Sequence, residues 1–180
     1  MNLNFYAMSD FKDLLGKVTT FIFDFDGVMT DGSVFVDANG EALRISNVKD
    51  GYALHLANKL GYNTALISGA YCPTMINRMN ALGTVDVYIG EANKVERLES
   101  YMKEKGLTQD QVAYMGDDIP DMRAMKRVGV PVCPADAAPE IKEICCYVSP
   151  YGGGKGCVRD IIEQTLKVQG RWMSAEAYSW

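Results

Sequence analysis

The chain has 180 residues, 48% of them hydrophobic and 23% charged, with a formal net charge of −5. That length fits one domain with a substantial core, and the acidic balance argues against a nucleic-acid surface, which is usually basic. No apolar run approaches the roughly 18 residues needed to span a bilayer, and Met1–Tyr6 lacks the basic and apolar regions of a signal peptide, so the expected compartment is the cytoplasm.

In chain order, Ser9 to Leu15 reads as a short leading helix capped at Ser9. Val18–Phe23 is apolar and rich in β-branched and aromatic residues, the mark of a buried strand, and it runs straight into Asp24, Asp26 and Gly27. Residues two apart on a strand share a face, so Asp24 and Asp26 should project together from the carboxyl end of a central strand. Two close carboxylates repel, and an oxygen-seeking divalent cation such as Mg²⁺ would resolve the conflict. Taken alone, the same pair could be a strand ending in an acidic turn. Ser33 to Ile45 reads as a β-hairpin turning at Asn39-Gly40, with Val34 and Val36 on one face and Phe35 on the other. Such a ribbon is marginal alone and needs a surface to rest on.

Asp50 is expected to open a helix through Lys59, ending near Gly61. Asn63–Ile67 is a second core strand, followed at Ser68-Gly69 by a helix from Pro73 to Leu82. Asp86–Ile89 is a third strand, and Glu91 to Lys105 a helix carrying Lys94 in its first turn, where a cation opposes the macrodipole. Gln111–Met115 is a fourth strand, ending in Gly116-Asp117-Asp118-Ile119-Pro120-Asp121. Short strands at Val130–Val132 and Cys146–Val148 flank a further helix, with Pro131 suited to an edge position. Gly152-Gly153-Gly154-Lys155-Gly156 reads as a flexible turn before a last helix, Cys157 to Val168. Alternating strands and helices imply an α/β fold, a mostly parallel sheet with helices on both faces.

Five cysteines without a C-x-x-C pair argue against a disulfide framework or a zinc site and read as small buried thiols. His55, the one histidine, lies in a helical pattern and suits packing or surface placement better than catalysis.

The chemical residues gather at strand ends: Asp24, Asp26, Ser68, Lys94 and Asp117. Phe23-Asp24-Phe25-Asp26-Gly27-Val28, Leu66-Ile67-Ser68-Gly69, Asn93-Lys94 and Gly116–Asp121 resemble, in order, the motifs of the haloacid dehalogenase superfamily. Asp26–Gly32, the hairpin after it, Lys49-Asp50-Gly51-Tyr52 and Gly152–Gly156 are more narrowly similar to its 3-deoxy-D-manno-octulosonate 8-phosphate (Kdo 8-phosphate) phosphatases, enzymes of lipopolysaccharide synthesis. The resemblance implies a Rossmann-like, Mg²⁺-dependent phosphatase assembled as a homotetramer. It assigns Asp24 as nucleophile and Asp26 as general acid and base. The metal would be held by Asp24, the Asp26 carbonyl and Asp117. Ser68, Gly69 and Lys94 would hold the phosphoryl group, Arg78 would bind substrate, and Asp118 and Asp121 would support from behind.

Octulosonate phosphatases usually carry an arginine shortly after the Ser/Thr-Gly, where this chain has Ala70-Tyr71-Cys72. A nonulosonate 9-phosphate phosphatase is therefore the neighbouring expectation. A phospho-accepting receiver domain is the expectation from another class, although its acid pair sits on the first strand and here Asp117-Asp118 comes late. The gaps between motifs leave no room for a cap domain, so 1–180 reads as one capless domain. The hairpins of neighbouring subunits would roof each other's sites, and Lys155 would reach the sugar acid's carboxylate.

Overall fold

The computed structural model describes residues 8–84 and 86–180; the expectation made on Met1–Tyr6 lies outside them. The chain opens with α1 (Met8–Leu15) and β1 (Thr20–Phe23), then a tight turn over 25–29. The hairpin β2 (Phe35–Val36) and β3 (Ala42–Leu43) follows, then α2 (Val48–Lys59), β4 (Asn63–Ile67) and α3 (Pro73–Ala81). The second half runs β5 (Asp86–Tyr88), α4 (Lys94–Lys105), β6 (Val112–Met115), α5 (Ile119–Met125), β7 (Val130–Cys133), α6 (Pro139–Lys142), β8 (Tyr147–Val148) and α7 (Cys157–Val168). Short 3₁₀ turns lie at Gln109–Gln111 and Ala175–Tyr178.

Six strands form one sheet in the order β5-β4-β1-β6-β7-β8, and every pair is parallel. Strand alternation sorts the core into two layers. Phe21 and Phe23 face Phe11, Leu54, Met75 and Ile161 of α1, α2, α3 and α7, while Ile22 faces away, toward Leu98, Tyr101 and Met125 of α4 and α5. Helices on both faces leave the carboxyl edge of the central strands open, where successive crossovers part to opposite sides. Among the described residues no helix is long and apolar enough to cross a membrane.

Most expected elements stand within a residue or two of their expected limits, and the structure differs from the sequence reading at four points, one of them a helix that the reading did not place. α2 is opened by Asn47, whose side chain accepts the Lys49 N–H at 2.8 Å; Asp50 lies inside the helix and is fully buried. Pro131 is not on an edge strand, because β8 pairs beyond β7. It is accommodated because its carbonyl, and so its nitrogen, faces the two-residue β8 side, where Cys146 N–H donates to it at 2.9 Å. The residues Ile119–Met125 form a helix, with Pro120 in the first turn where a missing N–H costs nothing.

The fourth correction concerns the glycine run. Gly153 is buried, and a Cβ there would lie 2.0 Å from the Gly27 carbonyl oxygen and 2.7 Å from that of Thr30. Gly154 N–H donates to Val28 O at 2.9 Å, Asn47 Nδ2 donates to Gly154 O at 3.0 Å, and Gly153 N–H donates to Asp136 at 2.9 Å. The glycines serve backbone-on-backbone packing, so the turn is fixed and not flexible. The cysteines are free thiols; Cys72, Cys133 and Cys157 are buried as expected, whereas Cys145 and Cys146 are half-buried, and His55 of helix α2 stacks on Trp180 at 5.5 Å.

Candidate active site

β1 ends by passing directly from Phe23 to Asp24, whose N–H donates to Met115 O at 3.0 Å across the β1–β6 seam. The chain then turns through Gly27 at φ +83°, a left-handed conformation that glycine adopts without strain. The same glycine admits Asp117, since a Cβ at 27 would lie 2.1 Å from Asp117 Oδ2. β4 delivers Ser68, buried, its hydroxyl accepting the Ala70 N–H at 3.2 Å. α4 begins with Lys94, capped by Asn93, and Asp117 lies two residues beyond the end of β6. Asp118 caps α5 by accepting the Ile119 N–H at 2.8 Å.

These elements enclose a cavity of about 320 Å³ lined by Asp24, Asp26, Ser68, Lys94, Asp117 and Asp118, with Gly27, Gly32, Gly69, Ala70 and Pro120 completing the wall. Lys94 Nζ lies 2.7 Å from Asp121 Oδ1 and 3.0 Å from Asp24 Oδ1, the latter an ion-pair contact outside hydrogen-bond geometry. The ion pairs overcome the unfavourable helix end that the sequence placed Lys94 in. Asp121 also accepts the Tyr114 hydroxyl at 2.9 Å on the same oxygen, so Oδ1 is taken up in orienting Lys94.

The electrostatics are those of a crowded acidic site. Burial, then repulsion from Asp121, pushes the Asp24 carboxyl up to about 7. Asp117 is also pushed up to about 7, by burial and then by Asp121 and Asp118. Burial alone would lower the Lys94 ammonium, but Asp24 and Asp121 beside it hold it above the ordinary lysine value. Carboxylate oxygens of Asp24, Asp117 and Asp121 lie within 4.8 Å of one another, and Asp24 Oδ1 is a buried oxygen with no hydrogen bond. A hard divalent cation fits this all-oxygen set and would keep Asp24 and Asp117 ionised.

Asp26 departs from the expected pairing. It lines the same cavity as Asp24, but its carboxylate is not part of the close acidic cluster. The strand stops at Phe23, so the alternation that would align residues 24 and 26 does not continue. Instead Arg44, from the hairpin, grips Asp26 with Nε–Oδ1 2.6 Å and Nη2–Oδ2 3.0 Å. Arg44 carries no local sequence signal; it reaches the site through a hairpin that folds back across 18 residues. Arg78 and Lys155 do not line the cavity. Arg78 packs beside Gly51 of α2, and Lys155 lies 3.4 Å from Asp31, held there by the fixed glycine turn.

The comparisons with known proteins converge on this arrangement. A family model described as haloacid dehalogenase-like hydrolase matches residues 53–158. The chain is 34% identical over 163 residues to the 3-deoxy-D-manno-octulosonate 8-phosphate phosphatase of Salmonella typhi, covering 91% of this chain and 87% of that one. It superposes with TM-score 0.87 on the crystal structure of the same-named enzyme from Yersinia pestis, at 32% identity over 89% of this chain and 86% of that one. The Moraxella catarrhalis enzyme, solved with magnesium, phosphate and KDO, gives TM-score 0.89 at 26% identity over 92% of this chain and 95% of that one. With its parallel sheet, its acidic strand ends and its buried lysine so matched, the chain belongs to the haloacid dehalogenase-like hydrolases.

Proposed function

We propose that the chain is a Mg²⁺-dependent phosphatase that hydrolyses 3-deoxy-D-manno-octulosonate 8-phosphate to Kdo and phosphate through an aspartyl-phosphate. The observation that carries this reading is Asp24: a buried carboxylate at the end of the central strand, with Lys94 at 3.0 Å and Asp117 in the same cluster. Asp24 and Asp117, with the Asp26 carbonyl, are the residues to hold the metal. Bound there, Mg²⁺ would neutralise phosphoryl charge and hold Asp24 ionised.

Asp24 attacks phosphorus, the phosphorus–oxygen bond to the sugar breaks, and the departing alkoxide takes its proton from Asp26. Asp26 then removes a proton from water, which attacks the aspartyl-phosphate and returns Asp24 with release of phosphate. Ser68 and Lys94 hold the phosphoryl oxygens as charge redistributes, and Asp121 keeps Lys94 aimed. Asp118 fixes the α5 end beside the cavity.

The rest of the reading concerns surroundings. Residues 1–180 act as one domain without a cap, in the cytoplasm. The hairpin is exposed on both faces, with Phe35 68% and Ile45 83% accessible, an apolar ribbon suited to burial between copies. A homotetramer of packed hairpins would shield each cavity from water, where electrostatic stabilisation is weak. The test is phosphate release from a panel of sugar phosphates with Mg²⁺, including octulosonate 8- and nonulosonate 9-phosphates, beside light scattering of the active species. Preference for the octulosonate ester is expected. Preference for the nonulosonate ester would favour that substrate, consistent with the uncharged Ala70 in the cavity wall. Phosphate release by Asp24→Asn at the wild-type rate would overturn the mechanism.

A further inference from the structure

Arg44 stands one residue beyond β3, and each of its three guanidinium nitrogens donates a hydrogen bond. Nε and Nη2 take the two oxygens of Asp26, and Nη1 donates to Ala42 O at 3.1 Å. The side chain is 11% exposed, more enclosed than the 29% of the carboxylate it grips. Asp26 is thus engaged at both oxygens, which fixes the direction its carboxylate faces while the fork is closed. Under the functional reading above, on which this inference rests, Asp26 must meet the sugar's leaving oxygen. A ligand that draws Arg44 away would free the carboxylate to turn toward that oxygen.

The fold makes that exchange feasible. Arg44 rides on an exposed two-stranded ribbon, whose base meets the body through an isolated bridge between Thr30 and Ser46. Among the described residues lining the cavity, Lys94 is the cation, and it is already shared by Asp24 and Asp121. Arg44, next to that wall, is planar and forked, the shape that matches a carboxylate at two points. A sugar acid phosphate brings such a carboxylate; a simple phosphate ester does not.

We propose that Arg44 is an exchangeable latch: it clamps Asp26 in the free protein and moves its fork to the substrate's carboxylate, releasing Asp26 for the leaving oxygen. Replacing one carboxylate partner by another conserves the paired hydrogen bonds, so the exchange is nearly balanced for an acidic sugar and unfavourable for any ester without an acid group. Arg44 is then a specificity residue that senses the far end of the substrate and positions the acid at the near end.

The test uses the full chain with Mg²⁺, two esters and one inhibitor: Kdo 8-phosphate, p-nitrophenyl phosphate, and free Kdo competing against the latter. Arg44→Ala should lower kcat/KM for Kdo 8-phosphate about 10–100-fold, the worth of charge-assisted bonds to one group. The same variant should turn over p-nitrophenyl phosphate faster than the wild type, because Asp26 is unclamped. Inhibition by Kdo should weaken by a factor similar to the loss on Kdo 8-phosphate. Arg44→Lys keeps the charge without the fork, so it should recover part of the Kdo affinity and decides the matter if the alanine variant does not fold. Equal losses on both esters, or unchanged Kdo inhibition, would overturn the latch and leave Arg44 a merely structural support. A wild type that turns over p-nitrophenyl phosphate but not Kdo 8-phosphate would instead overturn the substrate assignment.

Discussion

The acidic cluster makes the metal-free protein vulnerable to rising pH. Asp24 and Asp117 titrate near 7 in the fold, against an ordinary value of 3.8 in the unfolded chain. Between those values the folded chain binds more protons than the unfolded one, so stability falls as pH rises and levels off above about 7. From about pH 5 to 7 the Asp24 shift alone is worth about 3 kcal/mol at 1.36 kcal/mol per unit. Asp117, half-buried, adds a smaller share. Groups pulled the other way, such as Asp31 beside the Ser33 amide and Asp37 beside the Glu41 amide, have finished ionising by about pH 5 and leave this window clear. For a chain of this length the Asp24 term corresponds to a fall of about 6–12 °C in Tm. The assay is thermal unfolding in chelator from about pH 5 to 8, repeated with Mg²⁺, which should abolish most of the fall because the cation replaces the protons. A chelated Tm that stays level or rises over that range, or a Mg²⁺ gain as large at pH 5 as at pH 8, would refute the account.

Asp24→Asn should leave folding intact and abolish phosphate release, and Asp26→Asn should slow it about 10²–10⁴-fold, both read by steady-state phosphate assay. Lys94→Met strands two buried carboxylates, so it should cost about 3–5 kcal/mol in denaturant unfolding at neutral pH. Gly153→Ala should cost about 1–3 kcal/mol by overpacking against Gly27 and Thr30, whereas Gly16→Ala, whose new Cβ meets ordinary contacts, should not lower Tm.

The three central strands, β1, β4 and β6, were legible because each is a short apolar run followed by a residue with chemistry, and a buried parallel sheet needs little more to be recognised. Asp24, Ser68, Lys94 and Asp117 could be read from their places at strand and helix ends, since the fold brings all those ends to one edge. What failed depends on contacts distant in sequence. Nothing near Arg44 indicates that it will fork Asp26. Asp50 looked like a helix-opening residue because its neighbours are polar, yet its carboxylate is buried against amides more than 100 positions later. The glycine run looked loose because glycine's two uses, freedom and close approach, have the same composition. Helix α5 was hidden by Pro120, a breaker in mid-helix and a favoured residue in the first turn.

That buried carboxylate bears on how the molecule is made. Asp50 accepts the Gly156 N–H at 3.1 Å and the Arg159 N–H at 2.7 Å, tying the start of α7 to α2, while Gly154 closes on the Val28 carbonyl just past Asp26. A ribosome that has delivered everything through Ser149 has already supplied Asp24, Asp26, Ser68, Lys94 and Asp117, but not the segment that seats the loop carrying Asp26. The nascent chain therefore holds the groups that line the cavity before it holds the segment that seats them. A chain cut short before Gly153 would lack the contact that seats the Asp26 loop and would leave the Asp50 carboxylate without its two amide partners.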